Sequence, residues 1–490
     1  MKTKKMSNNQ KPLIQLSGEL FEAVQLQPCF EDSKYFVDMT PKKCPNEILD
    51  NYKKIKKARN FNLKSFIEKN FDPPVLERTF DNTNKRYLQQ HIKQMWRFLY
   101  QSSDKQNSLS SLIYLPKSYI VPGGRFREVY YWDCYFTCEG LQADSEIQII
   151  QDIADNFAYL INKLGFVPNA NRKYYLTRSQ PPLFYLIVNI LYKELGISAI
   201  KKYLPILEKE YSFWMNTKRN INGLNRYWDE SDTPRPESYR EDIEHAKDIE
   251  NKSKFYRNIR AACESGWDFS SRWFAQKDDF STIQTIDILP VDLNCYLYGL
   301  ENSLGKWLTE ISKQQKAEKY LTLAEHRKNL IQTKFWCYKK EFFYDINHIT
   351  NKLSKTISLA GITPLFLNIA TNQQAEKVAK LIKSDFLTEY GLITTLTNTA
   401  QQWDSPNGWA PLHFEAVIGL RNYGFDRLAK TIAKRFINTV NAKFKQTGKI
   451  REKYDVINPE KKAGGGEYIV QDGFGWTNGV IASFIKMYNL

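Results

Sequence analysis

The stretch IQIIQDIADNFAYLINKLG, residues 147–165, decides the architecture. Its apolar residues Ile147, Ile150, Ile153, Phe157, Leu160, Ile161 and Leu164 recur at spacings of three and four, which places them on one stripe of an α-helix. Gly165 stands where a helix end wants a residue free to turn left-handed. Phe425, Leu428, Ile432, Phe436 and Val440 repeat the pattern, with Lys430, Lys434 and Arg435 off the stripe. Similar periods cover about 182–196, 200–217, 315–333, 358–371 and 373–384, while strand-like alternation is rare and short. A mainly helical chain is expected.

Between the helices lie connections rich in Trp, Arg and carboxylates, at 119–136, 165–181, 226–242, 263–274, 401–413 and 450–478. Connections this long inside a compact fold are functional or disordered, and rigid aromatics argue against disorder. Their distribution implies one site assembled from many loops. The 490 residues would allow about three domains by length alone. With no Pro/Ser-rich linker and no short-period repeat, one domain over 18–490 is expected, preceded by a loose basic arm at 1–17.

Composition removes several function classes. With 42% hydrophobic and 25% charged residues the chain is globular. The excess of 70 Lys+Arg over 54 Asp+Glu, +16, would suit a polyanion if it were clustered. The densest run, Lys53, Lys54, Lys56, Lys57, Arg59 and Lys64, has only Phe61 for stacking and reads as a solvated helical face, so no nucleic-acid partner is expected. Gly464, Gly465 and Gly466 lack the Lys-Ser/Thr of a phosphate-cradling loop. The five histidines stand far apart without HExxH, and no GxSxG elbow occurs, so neither a metal nor a cofactor is expected. Seven cysteines, an odd number without CxxC spacing, suggest reduced thiols. MKTKKMSNNQKPLIQLSGEL has no apolar core of a secretory signal, and no stretch approaches ~20 apolar residues. These features predict a cytoplasmic protein with no membrane partner.

Carboxylates, arginines and aromatics remain. Such residues recognise neutral sugars through hydroxyl hydrogen bonds and flat faces on C–H patches, and a glycosidic bond is cleaved by one acid with one base or nucleophile. In 122–136, PGGRFREVYYWDCYF, two glycines allow a close backbone turn, Arg125 is a planar donor fork, and Trp132 with Asp133 pairs a platform with an acceptor. By composition alone the same loop could be an aromatic core around a buried ion pair.

PGGRFREVYYWDCYF resembles the first signature of the trehalase family, hydrolases that split α,α-trehalose into two glucoses, and QWDSPNGWAP at 402–411 resembles the second. The likeness continues in VPNANRKYYLTRSQPP (167–182), PRPESYRED (234–242), ESGWDFSSRW (264–273), EKYDV (452–456) and GGGEYIVQDGFGWTNGV (464–480). ELFEAVQLQPCFEDSKYFVD (19–38) resembles the family's N-terminal segment, part of the barrel or its brace. The resemblance implies an all-α (α/α)6 barrel acting on trehalose with inversion and without cofactor or metal, as a monomer.

By the same match Asp268 is the expected general acid and Glu452 the general base that activates water. Trp267 and Phe269 beside Asp268 supply an apolar setting that favours its protonated form, and Arg451 and Lys453 would favour ionised Glu452 if they reach it. Inversion implies carboxyl groups roughly 6.5–9.5 Å apart. The substrate-binding set implied is Arg125, Trp132, Asp133, Asn169, Arg178, Gln180, Arg235, Glu237, Gly266 and Glu467, the last on a glycine loop suited to cover the sugar. Trp403, Trp409, Phe474 and Trp476 either wall the pocket or pack beneath it. The competing reading is a catalytically silent trehalose-binding or sensing protein on the same barrel, which would have lost a catalytic carboxylate.

Overall fold

The computed structural model describes residues 13–27, 29–74 and 87–490. Helices dominate, and they alternate between two roles. Leu88–Leu99, Ile147–Leu164, Leu204–Trp214, Gln314–Lys334, Asn372–Leu381 and Asp426–Thr447 each bury one face. Each precedes, in chain order, a helix of an inner ring: Tyr131–Ala143, Phe184–Leu195, Val291–Glu310, Thr363–Phe366, Ala410–Asn422 and Gly475–Tyr488. Each inner helix packs on the next, and Gly475–Tyr488 lies along Tyr131–Ala143 to close the ring. This is an (α/α)6 barrel, and its small sheets are all two- or three-stranded and open.

The outer helices obey the expected period. In Ile147–Leu164 the buried residues include Ile150, Ile153, Phe157, Leu160 and Ile161, and Gly165 caps the end at φ +94°. In Asp426–Thr447 the residues Ile432, Phe436 and Val440 are buried while Lys430 and Lys434 stay exposed. The period expected over 358–371 resolves instead into a 3-10 turn at Leu359–Ile362 and a single α-turn at Thr363–Phe366. Pro364 starts that turn, and the chain leaves the helical path at Asn368, whose φ is +57°.

Ring closure rests on two glycines. A Cβ on Gly479 would lie 2.1 Å from the Phe136 carbonyl oxygen, and one on Gly140 would lie 2.4 Å from the Gly479 Cα, so the two backbones touch where any side chain would separate them.

The described residues of 13–74 bury a second apolar core that includes Phe36, Ile67 and Phe71, seated on Tyr130, Ala170, Tyr174 and Tyr175 of the barrel's loops. Within the expected arm at 1–17, residues 1–12 lie outside the described residues, whereas Ile14 and Gln15 are buried and Gln15 donates to the Leu109 carbonyl at 2.9 Å. Lys53, Lys54, Lys57, Arg59 and Lys64 are exposed, as a solvated face requires. Among the described residues no helix is long and apolar enough to cross a membrane.

Gly479→Ala forces the two helices apart and is expected to lower stability by about 1–3 kcal/mol, the range for overpacking a filled core. Gly464→Ala, at a position with no neighbour within 4 Å, stays within about 0.5 kcal/mol of wild type in the same denaturant titration.

Candidate active site

Every inner helix is entered through a loop at the same mouth of the barrel, and five of the six loops converge on one cavity. Its space not filled by protein atoms, counting solvent open at the mouth, is about 710 Å³. All twelve residues expected from the sequence line it, as do Trp403, Trp409, Phe474 and Trp476, which answers whether those four wall the pocket. Lys34, Tyr175, Ser238, Cys263 and Tyr468 also line it and were not singled out from the sequence.

The walls are aromatic. Trp403 and Trp409 stack at 3.9 Å with rings 1° from parallel, Trp267 stacks on Trp403 at 5.2 Å, and Trp132 and Trp476 meet edge-to-face at 5.7 Å. Gly266, at φ +78°, leaves room for the Trp132 indole, because a Cβ there would lie 2.7 Å from the ring. The Gly123-Gly124 turn has a different cause from the one expected. It presses on protein rather than on a ligand, since a Cβ on Gly124 would meet the Gln471 amide oxygen at 2.1 Å. The same oxygen accepts from the Arg125 backbone N–H at 2.7 Å.

The arginines are held in forks. Arg178 donates from Nε to Asn169 at 2.8 Å and from Nη2 to Glu237 at 2.7 Å, and its Nη1 reaches Asp229 at 3.4 Å. Arg235 is paired with Asp242 and donates to Glu467 Oε1 at 2.7 Å, while Ser238 donates to Glu467 Oε2 at 3.1 Å. The glycine loop is thereby latched across the mouth. Arg125 donates to Asp32 at 2.6 Å and lies over the Tyr468 ring at 4.7 Å, so the N-terminal segment braces this side of the site. A buried cluster of Lys34, Glu128, Arg172 and Asp38 strengthens the brace, with Lys34 2.7 Å from Glu128. Gln180 accepts from the Trp132 backbone N–H at 3.2 Å and fixes the entry to the Tyr131–Ala143 helix.

Five carboxyls line the cavity, Asp133, Glu237, Asp268, Glu452 and Glu467, and their environments differ. Burial lifts Asp268 to about 7, against the opposing pull of Arg235 and Arg178. Burial also raises Glu452, with Lys453 the main opposing influence. Lys453 Nζ donates to Glu452 Oε1 at 3.0 Å, but Arg451 turns away, its Nε 3.9 Å from Asp472. The other oxygen, Glu452 Oε2, is buried with no partner among the described residues. Burial raises Asp133 well above the carboxylate range, and the charges of Asp268 and Glu452 push the same way. Burial would also lift Glu237, but Arg178, Arg235 and Arg260 hold it below its usual value.

The Asp268 loop is fixed from behind. Asp404 accepts from the Ser270 hydroxyl at 2.8 Å and from the Ser271 hydroxyl at 3.0 Å and backbone N–H at 2.9 Å, and the Trp403 N–H donates to the Phe269 carbonyl at 3.0 Å. Arg272 forks to Asp292 at 2.7 and 2.9 Å and to Asp345 at the same two distances, with its guanidinium over Trp267 and Trp273. His413 is structural: burial lowers it to about 4, Nδ1 faces the Trp409 carbonyl at 2.8 Å, and Nε2 accepts from the Leu392 N–H at 2.8 Å. Among the described residues no group of three or more His, Cys, Asp and Glu could hold a metal ion.

Buried carboxyls between stacked tryptophans and arginine forks, at one mouth of a helical toroid, define a site of the glycoside hydrolase kind. The sequence profile of the family described as Trehalase matches residues 28–489. The periplasmic trehalases of Salmonella agona and Citrobacter koseri are each 41% identical over 492 residues, covering 97% of this chain and 86% of theirs. Among solved structures, neutral trehalase Nth1 from Saccharomyces cerevisiae superposes with a TM-score of 0.66 at 26% identity, covering 76% of this chain and 74% of that one. A GH63 mannosylglycerate hydrolase from Thermus thermophilus, solved with glucose, shares the fold at 15% identity and a TM-score of 0.58, covering 81% of this chain and 99% of its own. The chain belongs to the trehalase family.

These relatives overturn the cytoplasmic location expected from the sequence, because the curated ones are named periplasmic. The thiol argument fails for a physical reason. All seven cysteines are unpaired, but Cys134, Cys138, Cys263 and Cys295 are buried. Burial holds all four above the usual thiol range, and a thiol kept protonated resists oxidation in any compartment.

Arg272→Met leaves Asp292 and Asp345 buried without their cation. It is expected to cost about 3–5 kcal/mol in denaturant unfolding, the range for breaking a buried pair from one side.

Proposed function

We propose that this chain hydrolyses α,α-trehalose to two glucoses by inversion, in the periplasm, with Asp268 as general acid and Glu452 as general base. The observation that carries the assignment is the contrast between the two carboxyls. Asp268 is lifted to about 7, so it retains a proton for the bridging oxygen near neutral pH. Glu452 has one oxygen tied to Lys453 and the other, Oε2, buried without a partner among the described residues, so it can accept from a water aimed at the anomeric carbon. Family membership supplies the substrate, and the retention of both carboxyls disfavours a silent binding protein.

Arg125, Asn169, Arg178, Gln180, Arg235, Glu237 and Glu467 take the sugar hydroxyls in this reading. Trp132 and its aromatic neighbours supply the flat walls, Asp133 adds an acceptor, and Gly266 keeps the Trp132 wall in place. One acid and one base account for about 6–10 kcal/mol of barrier lowering. Positioning by the forks and stabilisation of the oxocarbenium-like state carry the remainder. We assign the work to residues 18–490 acting as one unit, since Lys34 of the N-terminal segment lines the cavity beside the barrel's loops, and take that unit to be a monomer.

Asp268→Asn and Glu452→Gln should each lower kcat by at least about 10²-fold without loss of helical signal. Near-normal glucose release by either would remove that residue from its role. Proton NMR of fresh digests should show α- and β-glucose in equal early amounts, whereas α alone would mean retention. Asp268 must be protonated to act, so kcat/KM should fall as pH rises through about 7.

A further inference from the structure

Behind the cavity, one amide and one ammonium join the segments that carry both carboxyls. Lys453 is fully buried, and its Nζ donates to Glu452 Oε1 at 3.0 Å and to Gln402 Oε1 at 2.6 Å. The Gln402 Nε2 donates to the backbone carbonyl of Asp268, and its side chain lies beside the Tyr468 hydroxyl. The glycine loop rests on the same amide: a Cβ on Gly466 would meet Gln402 Oε1 at 2.8 Å, and one on Gly465 would meet the Gln402 backbone nitrogen at 2.7 Å. Lys453 also lies over the Trp409 ring at 4.9 Å and the Tyr468 ring at 5.4 Å.

Resting on the functional reading above, we propose that Lys453 and Gln402 are positioning residues: Lys453 orients and charges Glu452, and Gln402 ties that pair to the Asp268 main chain and to the loop over the mouth. An ammonium bound to Oε1 turns Oε2 toward the reacting water and favours the carboxylate form. The amide then transmits the seating of Gly465, Gly466 and Tyr468 to both reacting groups. The other charged or titratable groups near Glu452 are Arg125 from the loop before the first inner helix, Asp133 on that helix, and Tyr468. Arg125 opposes Asp133, and Lys453 alone among these cations touches Glu452.

The test is the pH dependence of kcat/KM and the split between kcat and KM in Lys453→Met, Lys453→Arg and Gln402→Met, with folding checked by circular dichroism. Loss of the ammonium should move the acidic limb of Lys453→Met to higher pH by about one unit or more, the size expected for an adjacent opposite charge. Lys453→Arg should return the limb to its wild-type position. Gln402→Met, which leaves Lys453 on Glu452, should lower kcat by about 100-fold at nearly constant KM and leave the limb in place. An unmoved limb in folded Lys453→Met, or a kcat for Gln402→Met within about threefold of wild type, would overturn the proposal. If Lys453→Met does not fold, Gln402→Met decides alone. Glu452→Gln separates the two levels: if it is inactive, an unmoved limb sinks only the positioning role, whereas an active Glu452→Gln sinks the reading beneath it.

Discussion

The backbone contact between Gly140 and Gly479 is the constraint on which the rest of the molecule depends. It joins the first inner helix to the last, and only residues without side chains allow the approach. Closing the ring there sets the spacing between the two helix starts that carry Trp132 with Asp133 and Trp476. The other loops are then hung from a frame of fixed circumference, so Asp268 and Glu452 need not be close in the chain to share a cavity. Positive helix ends at the same mouth favour the negative side chains gathered there.

Burial acts on both carboxyls in one direction, and the neighbours make the difference. Asp268 has Arg235 and Arg178 within electrostatic reach, but each guanidinium is engaged by other carboxylates, so burial prevails. Glu452 has a lysine in direct contact, and its rise is opposed at hydrogen-bond distance. The arginine forks hold loops together as well as lining the site. A conservative change to lysine at either would keep the charge and lose the planar geometry by which Arg178 ties its loop to Glu237 and Arg235 ties its own to Glu467.

The outer helices from Ile147 onward were legible in the sequence because one-sided burial leaves a period of 3.6. Of the inner ones Phe184–Leu195 was legible over 182–196, and the others were not. Tyr131–Ala143 and Gly475–Tyr488 are buried on nearly every face over their first ten residues, so no stripe marks them, and Thr363–Phe366 is too short to show one. The site was legible through motifs rather than periodicity, because Asp268 and Glu452 look ordinary beside their chain neighbours. Tyr175 and Tyr468 stood inside quoted motifs without a role. Lys34 stood in the quoted N-terminal segment four residues before its partner Asp38, but its approach to Glu128 and to the cavity exists only in the folded brace. The compartment was misread because a cysteine count carries no information about burial.

The tryptophan wall has a consequence for observing the protein. Trp267, Trp403 and Trp409 form a continuous stack, with Trp476 edge-on to it and Trp132 tilted against Trp403, and a lysine ammonium sits over its far end. Indoles held parallel at van der Waals distance share their excited states, and their emission responds to the polarity of whatever lies against them. The cavity therefore carries an internal chromophore: displacement of solvent by a sugar is written into the ultraviolet spectrum of the unlabelled chain, and occupancy and closure can be followed in time without a reporter group.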